Sequence, residues 1–148
     1  MNLRPAIAED APAIAVLLRT TFRVSLLFLP ELHSAEEDLN FVARRMLPSS
    51  TVWVAEDGAA LAGFIAYRAD WIDHLYVAPG RQGQGLGPML LEKALESGEP
   101  RQLWTFQQND QARRFYESRG FEAVEFTDGA GNEEKTPDVR YLWRGQGL

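Results

Sequence analysis

The sequence predicts an α/β fold whose elements follow the order βααβββαβαββ. Two observations carry that expectation. Apolar residues at helical spacing from Ala11 onward give way at Thr51 to alternating or continuous apolar runs. Later, residues 75–91 (LYVAPGRQGQGLGPMLL) pass from an apolar run ended by Pro79, through Gly80, Gly83, Gly85 and Gly87, into a second apolar pattern at Met89, Leu90, Leu91, Ala94 and Leu95. That succession reads as strand, glycine loop and helix.

Taken in order, residues 2–6 suit a short edge strand. Asp10 is a good helix N-cap, Pro12 falls in a first turn, and Ile14, Leu17, Leu18 and Thr21 or Phe22 follow at helical spacing, predicting an amphipathic helix over about residues 11–22. Residues 24–33 are apolar and aromatic and are interrupted by Pro30, which suits a mobile wall of a pocket better than an internal strand. Ser34 with Glu37 makes a capping box for a second helix that carries Leu39, Val42, Ala43 and Met46 and stops before Pro48. Residues 51–56 read as a strand, Asp57-Gly58 as a tight turn and residues 60–67 as the antiparallel partner. Ala69-Asp70 then turns the chain into a third meander strand, residues 71–77. Beyond the glycine loop the pattern gives a helix to about Ser97, a strand over 102–106, a helix over 110–119, a strand over 122–126, a polar loop over 128–137 and a last strand over 139–143. No repeat, charge block or low-complexity linker divides the 148 residues, so a single domain spanning 1–148 is expected.

Composition removes several classes of function. A hydrophobic share of 45% with 24% charged residues is that of an ordinary globular chain. No apolar run approaches the roughly 20 residues of a membrane span, and residues 1–5 lack a signal-peptide core, so cytoplasmic residence without a membrane partner is expected. With no cysteine there is no disulfide framework, no thiolate nucleophile and no cysteine-ligated metal. His33 and His74 alone make a poor metal set, so no metal is expected. The net charge of -6 argues against nucleic acid as the main partner and is compatible with a cationic amine.

The glycine loop narrows the reading. Glycines spaced by single residues leave several backbone N–H groups uncovered and aim them with the N-terminus of the following helix, a surface that binds phosphate. Pro88 supports the helix start, because its missing N–H costs nothing in a first turn. The dinucleotide fingerprint fails: it needs a third glycine or alanine, but Pro88 follows the pair Gly83 and Gly85, and Leu90 follows Gly85 and Gly87. The Walker pattern fails as well, since Leu86 and Gly87 stand where lysine and serine or threonine belong. A loop that merely turns the chain is the plainer alternative, but four glycines between Gly80 and Gly87 exceed what one turn requires.

What remains is Gln82-x-x-Gly85-x-Gly87 after Val77-x-Pro79. This resembles the Gln/Arg-x-x-Gly-x-Gly/Ala loop of the GNAT superfamily of N-acetyltransferases. Asn109-x-x-Ala112-x-x-Phe115-Tyr116-x-x-x-Gly120-Phe121 is similar to a second feature of that family, in the right order and separation. The resemblance covers nearly the whole chain and implies a GNAT-like mixed, strongly twisted sheet flanked by helices, with splayed fourth and fifth strands. It further implies acetyl-coenzyme A (acetyl-CoA) as cosubstrate, its pyrophosphate wrapped by Gln82, Gly83, Gln84, Gly85, Leu86, Gly87 and Pro88. The pantetheine arm would pair with backbone groups of Leu75, Tyr76 and Val77 as an added strand does, and would meet Asn109, Ala112, Phe115 and Tyr116. The Leu75 N–H, seven residues before Gln82, would polarise the thioester carbonyl. The Tyr116 phenol would give a proton to the departing thiolate.

The residues leave some of these roles open. Asn109 is as natural a helix N-cap as a pantetheine contact. Ala112, Phe115 and Arg119 mark one helical stripe with Tyr116 beside it, Gly120 suits a C-cap and Phe121 its hydrophobic closure. Where some GNAT members carry a glutamate on the fourth strand, this chain has Trp71. In a regular strand Asp73 shares a side with Leu75 and is the nearest carboxylate for a base, whereas His74 points to the other face; a solvated or paired Asp73 is the alternative. The wall over 27–36 and the loop over 128–137 would decide the acceptor. There Glu31, His33, Glu133 and Glu134 either favour a cation or are solvated surface residues. Trp53, Trp71, Trp104 and Trp143 read as core or interface, and a terminal strand with Tyr141 and Trp143 as one that pairs or packs across a homodimer. The expected function is acetyl-CoA-dependent transfer to a primary amine, of a small molecule ahead of a protein, by direct attack, which agrees with the absence of cysteine. A non-catalytic coenzyme-A-binding sensor or interaction module is the alternative, against which Tyr116 and Asn109 argue.

Overall fold

The computed structural model describes residues 2–26 and 28–145, and the chain forms two compact units, Met1–Ala94 and Leu95–Leu148. In the first, four strands pair antiparallel in the order β1 (Asn2–Pro5), β2 (Thr51–Asp57), β3 (Ala60–Arg68) and β4 (Trp71–Val77). Helix α1 (Ala11–Ser25) buries Ile14, Leu17 and Leu18 against Val52, Val54, Phe64 and Ala66 on one face of those strands. Alternation turns Trp53, Gly63 and Tyr67 to the other face. There Lys93 of α4 (Leu86–Leu95) lies over the Trp53 ring at 4.3 Å, and its carbonyl accepts the Tyr67 hydroxyl at 3.3 Å.

Asp10 stands at the N-cap position but does not cap α1. The chain first makes a 3-10 turn, Ala8–Asp10, and the carboxylate accepts the Ile7 N–H at 2.8 Å and two Arg4 N–H groups at 2.8 and 2.9 Å, tying β1 to α1. The Arg4 guanidinium holds the Asp10 carboxyl below its ordinary range. Helix α1 runs three residues past the expected Phe22 and takes in the first two residues of the segment 24–33 expected as a mobile wall; Leu27 lies outside the described residues.

The capping box forms as expected, with Ser34 Oγ accepting the Glu37 N–H at 3.1 Å and Glu37 accepting the Ser34 N–H at 2.9 Å. The second helix does not stop before Pro48. After α2 (Ala35–Phe41) it continues through a π-helical turn, Val42–Met46, into a closing turn, α3 (Leu47–Ser49), that contains Pro48. Val42 and Met46 are buried.

The meander shifts register twice, between Ala55 and Glu56 where β2 meets β3, and between Ala66 and Tyr67 where β3 meets β4. Ala66 opposes His74 but Tyr67 opposes Ile72, so Asp73 is the extra residue of a bulge in β4. At Gly63 a Cβ would lie 2.9 Å from the Tyr76 carbonyl oxygen and 3.1 Å from Leu90 Cδ1. Only glycine lets strand and helix come this close.

In the second unit β5 (Arg101–Phe106), β7 (Asp138–Trp143) and β6 (Glu122–Phe126) pair antiparallel in that order, with α5 (Asp110–Glu117) preceding β6. This corrects the expectation that the terminal strand pairs with a second copy. Strand β7 is paired along both edges, Tyr141 is fully buried, and Trp143 stacks on Phe121 at 6.4 Å, so β7 has no edge to offer a second copy. Trp104 departs from the core reading too, being 43% exposed on the outward phase of β5. The loop over 128–137 is closed on itself: Asn132 Nδ2 donates to the Thr136 carbonyl at 2.7 Å and Lys135 Nζ to the Ala130 carbonyl at 2.9 Å. Among the described residues no helix is long and apolar enough to cross a membrane.

Candidate active site

The glycine loop has a geometry that follows from its residues. The Arg81 N–H bonds the Ala78 carbonyl at 2.9 Å to close the turn after β4, and Gly80, Gly83 and Gly85 take φ values of 88°, 83° and 82°. No atom lies within 4 Å of where their Cβ atoms would be, so the loop presents bare backbone to open space. The first bond of α4 runs from the Met89 N–H to the Gly85 carbonyl at 3.2 Å, which leaves the amides of Leu86 and Gly87 without an intrahelical acceptor. Pro88 sits in that first turn, as expected. Residues 82–85 are exposed, and left-handed glycines ahead of a helix N-terminus make a surface suited to an anion.

The ladder fixes which way the β4 amides point. The Ala78 N–H bonds the Ala62 carbonyl at 2.8 Å, one step beyond the Gly63–Val77 pair. In an antiparallel ladder, opposed pairs that exchange backbone bonds alternate with pairs that do not. Phe64 and Tyr76 therefore bond each other, and Leu75 and Val77 direct their N–H and C=O groups to the edge away from β3. Tyr76 differs from its neighbours in this: its backbone groups belong to Phe64.

In the second unit Asn109 caps α5, its side chain accepting the Ala112 N–H at 3.2 Å. At the other end the Phe121 N–H reaches the Tyr116 carbonyl at 3.1 Å and the Gly120 N–H the Glu117 carbonyl at 3.3 Å, with Gly120 at φ 89°. This is a Schellman closure, and its hydrophobic contact is the Tyr116–Phe121 ring pair at 5.4 Å. Tyr116 is 8% exposed and packs edge-on against Phe115 at 5.1 Å. Tyr141 accepts Arg113 Nε at 3.0 Å and donates to Glu117, and burial pushes its phenol above the usual tyrosine range.

The carboxylates named from sequence are mostly engaged. Asp73, in the bulge, lies 2.8 Å from Arg68 Nε, so strand alternation does not set its direction. Glu31 lies 2.7 Å from both Arg19 and Arg23 of α1, which neutralise it, and Arg19 also meets Asp38 at 3.2 Å. His33 sits 3.8 Å from Glu37 on the exposed side of the wall. Among the described residues no group of three His, Cys, Asp or Glu is placed to hold a metal ion.

Two features escaped the sequence reading. Arg81 pairs with Asp57, which fastens the glycine loop to the β2–β3 turn; the residues are distant in sequence and nothing in their spacing signals the pair. His74, given a face but no role, is surrounded by rings. Burial pushes its imidazole down to about 4, so it is neutral at physiological pH.

The family model described as an acetyltransferase (GNAT) domain matches residues 48–123. The chain is 30% identical over 125 residues to the peptidyl-lysine N-acetyltransferase YjaB of Salmonella typhimurium, covering 84% of this chain and 85% of that one. Among solved structures, apo YjaB from Escherichia coli superposes with a TM-score of 0.75 at 24% identity, covering 97% of each chain. The PaiA N-acetyltransferase of Thermoplasma acidophilum, solved with coenzyme A, gives 0.76 at 19% identity, covering 97% of this chain and 98% of that one.

Proposed function

The chain belongs to the GNAT family of N-acetyltransferases, and we propose that it transfers the acetyl group of acetyl-CoA to a primary amine by direct attack. The observation that carries the reading is a helix start whose Leu86 and Gly87 amides have no intrahelical acceptor, opened by left-handed Gly83 and Gly85, directly after a strand whose Leu75 amide turns away from its β3 partner. The diphosphate lies on the loop amides, with Gln82, Gln84, Leu86 and Pro88 flanking it. The pantetheine arm pairs with the outward groups of Leu75 and Val77.

The neutral amine nitrogen attacks the thioester carbon, and the carbonyl oxygen, now an oxyanion, takes a hydrogen bond from the Leu75 N–H. As the tetrahedral intermediate collapses, its nitrogen loses the extra proton to water, the C–S bond breaks and the thiolate takes a proton from the Tyr116 phenol, which solvent then reprotonates. Asn109, Ala112 and Phe115 hold the helix that carries Tyr116 and meet the arm along it. The incoming ammonium first gives its proton to water; Asp73, beside Arg68, is the carboxylate of β4 nearest to Leu75 in sequence.

The acceptor class is a primary amine. The name of the Salmonella typhimurium relative puts lysine side chains in the panel to be tried, beside small-molecule amines. Thiol release from acetyl-CoA, measured across alkylamines, polyamines, aminoglycosides and lysine peptides, tests the proposal. Tyr116→Phe should lower turnover by about 10²-fold or more while coenzyme A binding stays the same. Coenzyme binding without turnover on any amine, together with no effect of Tyr116→Phe, would leave a coenzyme-binding module instead.

A further inference from the structure

Within the first unit, β4 turns His74 and Tyr76 onto the face that carries α1 and α2, because Ala66 and Phe64, their partners in β3, belong to the core on that face. The His74 ring lies 5.7 Å from Phe41 of α2, 6.3 Å from Phe64 and 5.9 Å from Tyr76. Tyr76 in turn lies 6.0 Å from Phe22 of α1. The cluster is not sealed: Phe41 is 38% exposed, and His74, Tyr76 and Phe22 keep partial exposure.

A histidine with only structural work in such a cluster is expected to have both ring nitrogens either satisfied or solvated. Here Nδ1 is enclosed and has no hydrogen-bond partner, one of two such side-chain atoms among the described residues; the other, Thr21 Oγ1, is on α1 in the same unit. With Nδ1 enclosed, Nε2 is the nitrogen that a ligand meets. The imidazole is neutral, so it offers a hydrogen bond without charge. Three of the acids on neighbouring elements are paired within the protein, Asp73 with Arg68, Glu31 with Arg19 and Arg23, and Asp38 with Arg19, while Glu36 and Glu37 stand exposed in the first turn of α2. The cluster itself therefore offers an incoming molecule aromatic surface, the Tyr76 phenol and one neutral imidazole, against which an apolar stem packs readily and a second buried ammonium of a polycation would be desolvated at a cost.

We propose that His74 is the polar contact of the acceptor site, and that the face it shares with Phe22, Phe41 and Tyr76 selects a single primary amine on an apolar stem over a polycation. The inference rests on the acetyltransferase reading above and names the acceptor class within it. His74 immediately precedes Leu75. A side chain stands off the sheet whereas the next residue's N–H lies in its plane, so the two meet the attacking nitrogen and the thioester from different directions. Ring faces stabilise the ammonium before it loses its proton, and the stem packs on the same rings.

The test has a binding arm and a kinetic arm. With only His33 and His74 in the chain, the two imidazole NMR signals are assigned by comparison with His74→Phe. Titration of the coenzyme-A-bound protein with phenethylamine or n-hexylamine should shift the His74 signal and leave that of His33 in place, whether or not catalysis occurs; spermidine should not shift it. In turnover, kcat/KM for the two monoamines should exceed that for spermidine by about tenfold or more, and His74→Phe should raise the monoamine KM by a similar factor without changing the KM for acetyl-CoA. His74→Gln, neutral and polar, should restore part of that loss, which a purely structural role would not. A spermidine preference, or an unmoved His74 signal together with an unchanged monoamine KM in His74→Phe, would overturn the inference. Absence of thiol release with every amine would instead count against the acetyltransferase reading, and the NMR arm would still decide the binding claim.

Discussion

Gly85 and Gly63 show two different reasons for a glycine. At Gly85 the space around a Cβ is empty and the demand is on φ alone, so a side chain there costs backbone strain of about 1–2 kcal/mol and leaves the fold intact. What a side chain disturbs is the surface. Gly85→Glu should therefore abolish coenzyme A binding in a calorimetric titration while melting within several degrees of the parent; unaltered affinity would show that the diphosphate lies elsewhere. At Gly63 the backbone is ordinary but the space is filled, and Gly63→Ala drives a methyl against the Tyr76 carbonyl and Leu90. A loss of about 1–3 kcal/mol in denaturant unfolding is expected, because the nearest neighbour is backbone and cannot rotate aside. Sequence exposed the first reason readily, since glycines at single-residue spacing announce bare amides. It concealed the second, because Gly63 sits in an apolar run and only the packing of α4 makes it necessary.

Among the elements, α5 is the one whose ends were both legible. Asn109 and Gly120 with Phe121 carry cap signals that act within a few residues, and local chemistry of that kind survives folding. Substituting Gly120 by alanine should cost about 1 kcal/mol by thermal melting: the new Cβ meets the Trp143 ring at an ordinary 3.6 Å, so the penalty comes from φ and not from crowding. The less legible elements were those settled at long range. Asp10 looked like a cap because its type and position suit one, but Arg4 and Ile7 claimed the carboxylate. Asp73 was assigned a side by counting along a regular strand, and the bulge opposite Ala66 and Tyr67 broke the count. The second helix passed Pro48 because a π-helical turn reset the register just before it. Strand order around β7 was likewise invisible, since no local pattern tells a terminal strand that it will be enclosed.

For the whole molecule, acid should act in two stages. Between the ordinary imidazole value of 6.5 and about 4, the unfolded chain binds a proton at residue 74 that the folded chain refuses, so stability falls as pH drops through that window. Each unit removes about 1.4 kcal/mol, at most about 3 kcal/mol in all. Asp10 acts later. Its folded carboxyl is held below 3.8 by Arg4, so its contribution is intact above that value and is lost as pH falls through the lower folded one. Urea midpoints at pH 7, 5 and 3 should show both stages in the parent and only the second in His74→Phe. A flat midpoint from pH 7 to 5 in the parent would mean that the imidazole is not held neutral by the fold.

The tie between Asp57 and Arg81 bears on how such a chain tolerates change. Hairpin turns ordinarily accept insertions with little effect, but this one is fastened to the glycine loop, for which a grip on the coenzyme is proposed. Lengthening the β2–β3 turn, or exchanging it for that of a relative, would detach an anchor of the grip without touching any residue of it. Grafts between relatives should thus keep activity when turn and loop are carried over together and lose coenzyme affinity when one travels alone.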